Sequence, residues 1–234
     1  MNTVKNVIIL AAGLGNRLGE LTIHTPKPLI KVFNKPMIEY TLDRIHELKV
    51  ENIFIVTGYL SHKFEYLKTK YKNVQLVFNP DFYNSNNISS IFYVKEFLSE
   101  SLIIEGDLVI SNSSLLQKTF SFSHYKGIKV AESSDWCFEL NDKHCIKSFR
   151  KGGKDCIQMV GISYWDLDSG LKLKKQIQQF YKVELNNQVY WDEVPLLHFK
   201  NDYCIGIETC NACDVYEIDN MNDLVKLDKS YLLT

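Results

Sequence analysis

Apolar positions cluster in short runs through the first half of the chain: Val7 to Leu10, Ile53 to Val56 and Val74 to Phe78. Runs of this length without strict alternation predict strands buried on both faces, as in a parallel sheet. Between the first two, Met37, Ile38, Thr41, Leu42, Ile45 and Leu48 recur at helical spacing, which predicts an amphipathic helix over 37–48. Ser61 is positioned to cap a helix running to Lys70, and Ser89 to Phe97 reads as another helix. Leu102 to Ile110 is an apolar strand that carries Glu105-Gly106-Asp107. From residue 128 the rhythm changes. Ile128–Ala131, Trp136–Leu140, His144–Phe149 and Gln158–Trp165 read as strands, linked by Asn141-Asp142-Lys143 and Lys151-Gly152-Gly153-Lys154. Gly170 to Lys182 is helical, Ile205–Glu208 and Val215–Ile218 are the last strands, and Met221 to Leu232 reads as a closing helix. Alternating strands and helices predict an α/β fold, with a mixed, mainly parallel open sheet flanked by helices and a small β-rich insertion. No linker and no internal repeat divides the chain, so one domain over 1–234 is expected.

The first three strands end near residues 10, 57 and 78, and ligands of open α/β sheets lie outside the carboxyl ends of their strands. At that edge Leu10, Ala11, Ala12, Gly13, Gly15 and Asn16 form a loop almost free of side-chain bulk. Such a loop lets backbone N–H groups approach a phosphate chain. Arg17 adds a planar fork of donors, and Lys27 adds a second cation on a segment stiffened by Pro26 and Pro28. A polyphosphate is the simplest ligand for this set. A dinucleotide fingerprint would need a third glycine where Leu18 stands, and no Gly-Lys-Ser/Thr of the Walker kind is present. A bare structural turn would leave Arg17 and Lys27 unexplained.

Gly58-Tyr59 and the loop from Asn79 to Asn87 face the same edge. Asn86 and Asn87 carry the donor and acceptor pairs that match the edge of a pyrimidine, although helix capping alone would account for part of this cluster. Asp107 arrives at the edge behind an apolar strand, with Gly106 before it. A carboxylate beside a triphosphate needs a cation between them, and Mg²⁺ prefers carboxylate and phosphate oxygens. Glu105 is expected to point away from Asp107. Asp219 follows the last strand and can cap the final helix, a job Asn222 could take instead and so leave Asp219 free. Tyr190-Trp191-Asp192-Glu193, with Trp136 as a third wall, suits a small cation: ring faces attract an ammonium group and a carboxylate neutralises it. The competing reading places these rings in the core. Lys147, Arg150, Lys151 and Lys154 crowd one short segment, either as a solvated turn or as a reader of an acceptor carboxylate through Arg150.

Composition narrows the field. The 234 residues are 45% hydrophobic and 24% charged with a net charge of -1, ordinary for a globular protein and no argument for nucleic acid as a partner. No apolar run approaches a membrane span and the first strand starts almost at Met1, so a cytoplasmic protein without a signal peptide is expected. The six cysteines are expected to be thiols, and Cys210-Asn-Ala-Cys213 lacks the second pair that a zinc site requires.

Leu10-Ala-Ala-Gly-Leu-Gly-Asn-Arg-Leu18 with Pro26-Lys27-Pro28-Leu29 resembles the signature of the nucleotidyltransferases that make sugar nucleotides and related activated compounds. Within them the chain is most similar to bacterial cytidylyltransferases acting on phosphocholine, through Gly58-Tyr59-Leu60, Asn86-Asn87, Trp136, Tyr190-Trp191-Asp192 and Tyr216-Glu217-Ile218-Asp219. The resemblance implies transfer of CMP from CTP to a small phosphorylated acceptor with loss of pyrophosphate, for decoration of cell-surface polysaccharide. It implies Arg17 and Lys27 as the catalytic cations, Mg²⁺ on Asp107 and Asp219, residues 1–112 as the nucleotide half and 113–234 as the acceptor half. A phosphocholine-like acceptor is expected, with phosphoglutamine, an aminoalkylphosphonate and a sugar 1-phosphate as alternatives. A non-catalytic sensor of the same fold would not need all four charged residues. Assembly as a homodimer is also open.

Overall fold

Asn6–Ala11 forms β1, a strand at the middle of the main sheet, and its side chains explain its unbroken apolar sequence. Val7 and Ile9 enter a core on one face, while Ile8 and Leu10 enter a core on the other. Alternation therefore buries every position from Val7 to Ala11, which needs helices on both sides. The computed structural model describes residues 1–183 and 187–233. Met37–Leu48 (α1) covers the first face with Ile38, Leu42 and Ile45. Ile88–Tyr93 (α2) and Leu167–Val183 (α3) cover the second with Ile88, Ile91, Leu173, Ile177 and Phe180.

The other strands longer than two residues are Asn52–Thr57 (β2), Val74–Phe78 (β3), Ser101–Glu105 (β4), Leu108–Ile110 (β5), His124–Leu140 (β6), Ile146–Trp165 (β7), Gly206–Cys210 (β8) and Val215–Glu217 (β9) among the described residues. The main sheet runs β8-β6-β7-β4-β1-β2-β3. β1 is parallel to both β2 and β4, with Leu10 opposite Val56 and Glu105. The chain steps outward from β1 through β2 to β3 and then returns to the other flank of β1 as β4. That reversal opens a crevice at the carboxyl ends of β1 and β4. β7 joins β4 in antiparallel register, with Ile162 opposite Ile104, and β6 and β8 extend the sheet from there. β5 and β9 form a separate antiparallel ladder, with Glu217 opposite Leu108. The α/β architecture with a β-rich extension is as expected.

Several boundaries differ from the sequence reading. The strand expected over 102–110 breaks at Gly106, whose N–H bonds to Leu10 O at 2.9 Å and turns the chain from β4 into β5. The four strands expected over 128–165 are two long curled ones. Lys151 to Lys154 lies inside β7 instead of in a turn, with Gly152 at φ 77° accommodating the bend. Asn141-Asp142-Lys143 is the hairpin turn, held by Asn141 Oδ1, which accepts from the N–H groups of Lys143 and Cys145. The helix expected from Ser61 splits into Ser61–Phe64 and Leu67–Lys70, and Ser61 makes no capping bond. The last helix, α4, spans Met221–Leu227 and is followed by a tighter turn over Lys229–Leu233. The six cysteines are not all thiols: Cys145 and Cys204 form a disulfide with Cα atoms 5.2 Å apart. The Ile146 N–H bonds to Ile205 O at 2.8 Å, and this lays the two segments side by side. No helix among the described residues is long and apolar enough to cross a membrane.

Candidate active site

The glycine loop leaves β1 at the crevice. Gly15 takes φ 70°, which glycine adopts without strain, and a Cβ there would sit 2.9 Å from Lys27 Cβ. The same glycine thus turns the loop and makes room for the lysine. Leu10, Ala11, Ala12, Gly13, Gly15, Asn16, Arg17, Lys27, Asn86 and Asn87 together line a cavity of about 380 Å³. Gly58, Tyr59 and Gly106 stand one layer behind its wall. The Tyr59 N–H bonds to Ala12 O at 3.1 Å. A Cβ on Gly58 would meet Phe82, and one on Gly106 would meet Leu10 O at 2.6 Å. These residues let backbones approach closely and so hold the loop's shape.

Lys27 is nearly buried. Its Nζ lies 2.5 Å from Asp107 Oδ2 and 3.0 Å from Asp219 Oδ1, and Arg17 Nη2 lies 2.6 Å from the same Asp219 oxygen. Burial alone would pull the Lys27 ammonium down, but the two carboxylates outweigh it and hold its pKa above the ordinary value. Asp219 is free for this role because Asn220, not Asn222, caps α4. The Asn220 side chain accepts from the Asn222 and Asp223 N–H groups, and Asp223 returns a bond to the Asn220 N–H.

Glu217 joins Asp107 and Asp219. Each of the three offers an oxygen within 4.8 Å of the others. Burial, then the charges of Asp107 and Asp219, push the Glu217 carboxyl up to about 8, and Asp107 Oδ1 is buried without a hydrogen-bond partner among the described residues. Crowded carboxylates with an unpartnered oxygen are the donor set a hard divalent cation takes. The sequence held the signal for Glu217, since it stands two residues before Asp219 along an extended chain and so shares its face. The expectation for Glu105 is corrected as well, because the turn at Gly106 brings it and Asp107 to the same cavity. It lines both this cavity and the next one, along with Asp107, and burial with the nearby Asp107 and Asp192 charges raises its pKa well above the usual range.

A second cavity, of about 240 Å³, opens between β6, β7 and the segment around Trp191. It meets the first at Arg17, Asn87, Glu105, Asp107, Tyr190 and Asp219. Trp136, Tyr190, Trp191 and Asp192 line it as expected. Trp136 and Tyr190 meet edge to face with centroids 6.4 Å apart. Trp191 is only 2% exposed, and one of its faces stacks on Tyr125 at 6.2 Å. It therefore serves the core as well as the cavity. Asp192 accepts a bond from Tyr125 Oη at 2.5 Å, and burial pushes its carboxyl up to about 7. Asn87 ties the cavities together: its Oδ1 accepts from the Trp191 N–H at 2.9 Å and its Nδ2 reaches Glu105 at 3.5 Å. Asn86 Nδ2 bonds to Gln188 O at 3.2 Å.

Arg150 and Glu193 are not in this cavity wall. Arg150 pairs across the hairpin with Glu139 at 2.9 Å and is mostly exposed, because its position on β7 faces outward. Glu193 bonds to the Tyr190 N–H at 2.7 Å and closes a local turn. Lys151, the next residue after Arg150, lines the cavity instead, as do Tyr125 and Asp135, which the sequence reading did not single out.

A glycine loop with two cations, a carboxylate cluster and an adjoining second pocket thus meet at the sheet's switch point. Residues 6–131 match the model of the nucleotidyl transferase family, described as nucleotidyl transferase. A 2-aminoethylphosphonate cytidylyltransferase of Lancefieldella rimae is 38% identical over 97% of this chain and 93% of its own. A choline-phosphate cytidylyltransferase of Streptococcus pneumoniae is 32% identical over 95% of this chain and 96% of its own. A solved CTP:phosphocholine cytidylyltransferase from Streptococcus pneumoniae superposes with a TM-score of 0.89 at 32% identity, over 98% of this chain and 99% of that one. The chain belongs to the nucleotidyl transferase family. It is a nucleotidyltransferase of the cytidylyltransferase kind.

Proposed function

We propose that this enzyme joins CMP from CTP to a small phosphonate or phosphate ester bearing a primary amine, and releases pyrophosphate. An acceptor oxygen attacks the α-phosphorus from the second cavity, and pyrophosphate leaves along the glycine loop. The reading is supported by the meeting of the two cavities at Arg17, Asp107 and Asp219. Arg17 holds the β- and γ-phosphates, and Lys27 stabilises charge on the α-phosphate and the incoming oxygen. Asn86 and Asn87 face the cytosine. The acceptor brings its own anionic nucleophile, so alignment and charge stabilisation suffice without a general base. Asp107, Asp219 and Glu217 would hold Mg²⁺, which when bound supplies positive charge to the phosphate oxygens.

The observation that carries the acceptor assignment is the lining of the second cavity, where Asp135, Asp192, Glu105 and Glu217 accompany the rings. A primary ammonium donates three hydrogen bonds, and carboxylates accept them. A trimethylammonium donates none and depends on open ring faces. Trp136 and Tyr190 favour that second reading, but Trp191 has one face covered by Tyr125. With CTP fixed, kcat/KM for 2-aminoethylphosphonate is expected to exceed that for phosphocholine by at least about tenfold, the scale of one charge-assisted hydrogen bond. The reverse order would assign the site to a quaternary acceptor.

A further inference from the structure

Lys27 and Arg17 both bond to the carboxylates that suit a divalent cation. Asp219 Oδ1 accepts from Lys27 Nζ at 3.0 Å and from Arg17 Nη2 at 2.6 Å, and Asp107 Oδ2 accepts from Lys27 at 2.5 Å. A divalent ion on those oxygens would face two like charges at close range, in a site where the Lys27 side chain is 10% exposed and screening is weak. Moving Lys27 off the carboxylates with nothing to receive it would strand a buried ammonium. A triphosphate removes both difficulties, because its oxygens give Lys27 and Arg17 new partners as the ion takes over the carboxylates.

We propose that Lys27 and Arg17 act as stand-in cations on Asp107 and Asp219, and exchange partners when a divalent ion and a triphosphate bind together. The proposal rests on the reading that these carboxylates hold the metal. It gives binding of the ion and of CTP positive coupling, and the coupling is reciprocal. It also sets opposite signs for one substitution. Removing Lys27 weakens catalysis but strengthens binding of the ion to the enzyme without nucleotide.

Mn²⁺ is a suitable probe, because electron paramagnetic resonance counts the free ion directly. In titrations of the nucleotide-free full chain, Lys27→Met is expected to bind Mn²⁺ at least about tenfold more tightly than wild type, since a like charge a few Å away is gone. Arg17→Met should strengthen binding less, because the Arg17 side chain is 68% exposed and better screened. Lys27→Gln, which keeps a hydrogen-bonding side chain against Asp107, guards against a folding defect in the methionine variant. Mn²⁺ affinity that is unchanged or weaker in both Lys27 variants overturns the exchange. Asp107→Asn should lose Mn²⁺ binding. If it binds like wild type, the metal assignment falls and the exchange falls with it, an outcome distinct from failure of the exchange alone.

Discussion

Lys27 is held between Asp107 and Asp219 with little access to solvent, so its charge is fixed before any substrate arrives. A cation kept charged in a poorly solvated site acts most strongly on charge that develops during the reaction. Lys27→Ala is expected to lower kcat by at least about 10²-fold at saturating CTP, the scale of one such group, measured as pyrophosphate release. Asp192 gives a pH test. Its carboxyl is raised by burial to about 7, so it is mostly protonated below that pH and charged above it. In the folded protein it holds its proton more tightly than when unfolded. Its contribution to stability therefore declines from the ordinary carboxylate range up to about pH 7. A cationic acceptor prefers the charged form. The ratio of kcat/KM for 2-aminoethylphosphonate in the wild type to that in Asp192→Asn should rise from pH 6 to pH 8, because phosphonate ionisation is the same for both enzymes. A ratio that stays flat would remove Asp192 from acceptor recognition.

The turn between β4 and β5 aims Asp107, and it depends on one glycine. A Cβ on Gly106 would lie 2.6 Å from Leu10 O and 3.2 Å from Pro28, so the backbone must shift. Displacement of a positioned group by about 1 Å can cost about 10²-fold, and Gly106→Ala should reduce kcat on that scale and also lower the melting temperature, because the atom met is a backbone oxygen. Retention of full activity would show that the turn has slack. Elements whose cause is local were legible in sequence: β1 from its apolar run, α1 from its stripe, and the Arg17–Lys27 loop from its small residues and cations. The helix expected from Ser61 was not, because Leu60 enters it at φ 49° and the chain begins with a tight turn instead of a capped α-helix. The curl of β6 against β7 was also hidden, because its register shifts between Ser133 and Trp136 and again around Cys137 and Phe138. Long-range pairing decides those shifts. That is why Asp135 and Lys151 reach the cavity while Arg150, one residue away, turns to Glu139. Glu217 stands in the sequence only as part of Tyr216-Glu217-Ile218-Asp219, and its spacing from Asp219 is the signal for its place in the carboxylate cluster.

At the scale of the molecule, two cavities of different character share one wall. The first pairs a bare backbone loop with Arg17 and Lys27, as an anion requires. The second gathers Asp135, Asp192 and Glu217 beside aromatic rings, with Arg17 and Lys151 in the same lining. On the proposed function, a substrate with a phosphonate at one end and an amine at the other would lie across both cavities, with its anionic end toward the α-phosphorus. The Cys145–Cys204 disulfide links the hairpin that walls the second cavity to the segment before β8. The most direct test is phosphorus NMR of the enzyme with CTP, Mg²⁺ and 2-aminoethylphosphonate. The account predicts a new phosphonate resonance coupled to the phosphorus of CMP, growing in step with pyrophosphate. Loss of CTP without that coupled pair, or no turnover at all, would contradict it.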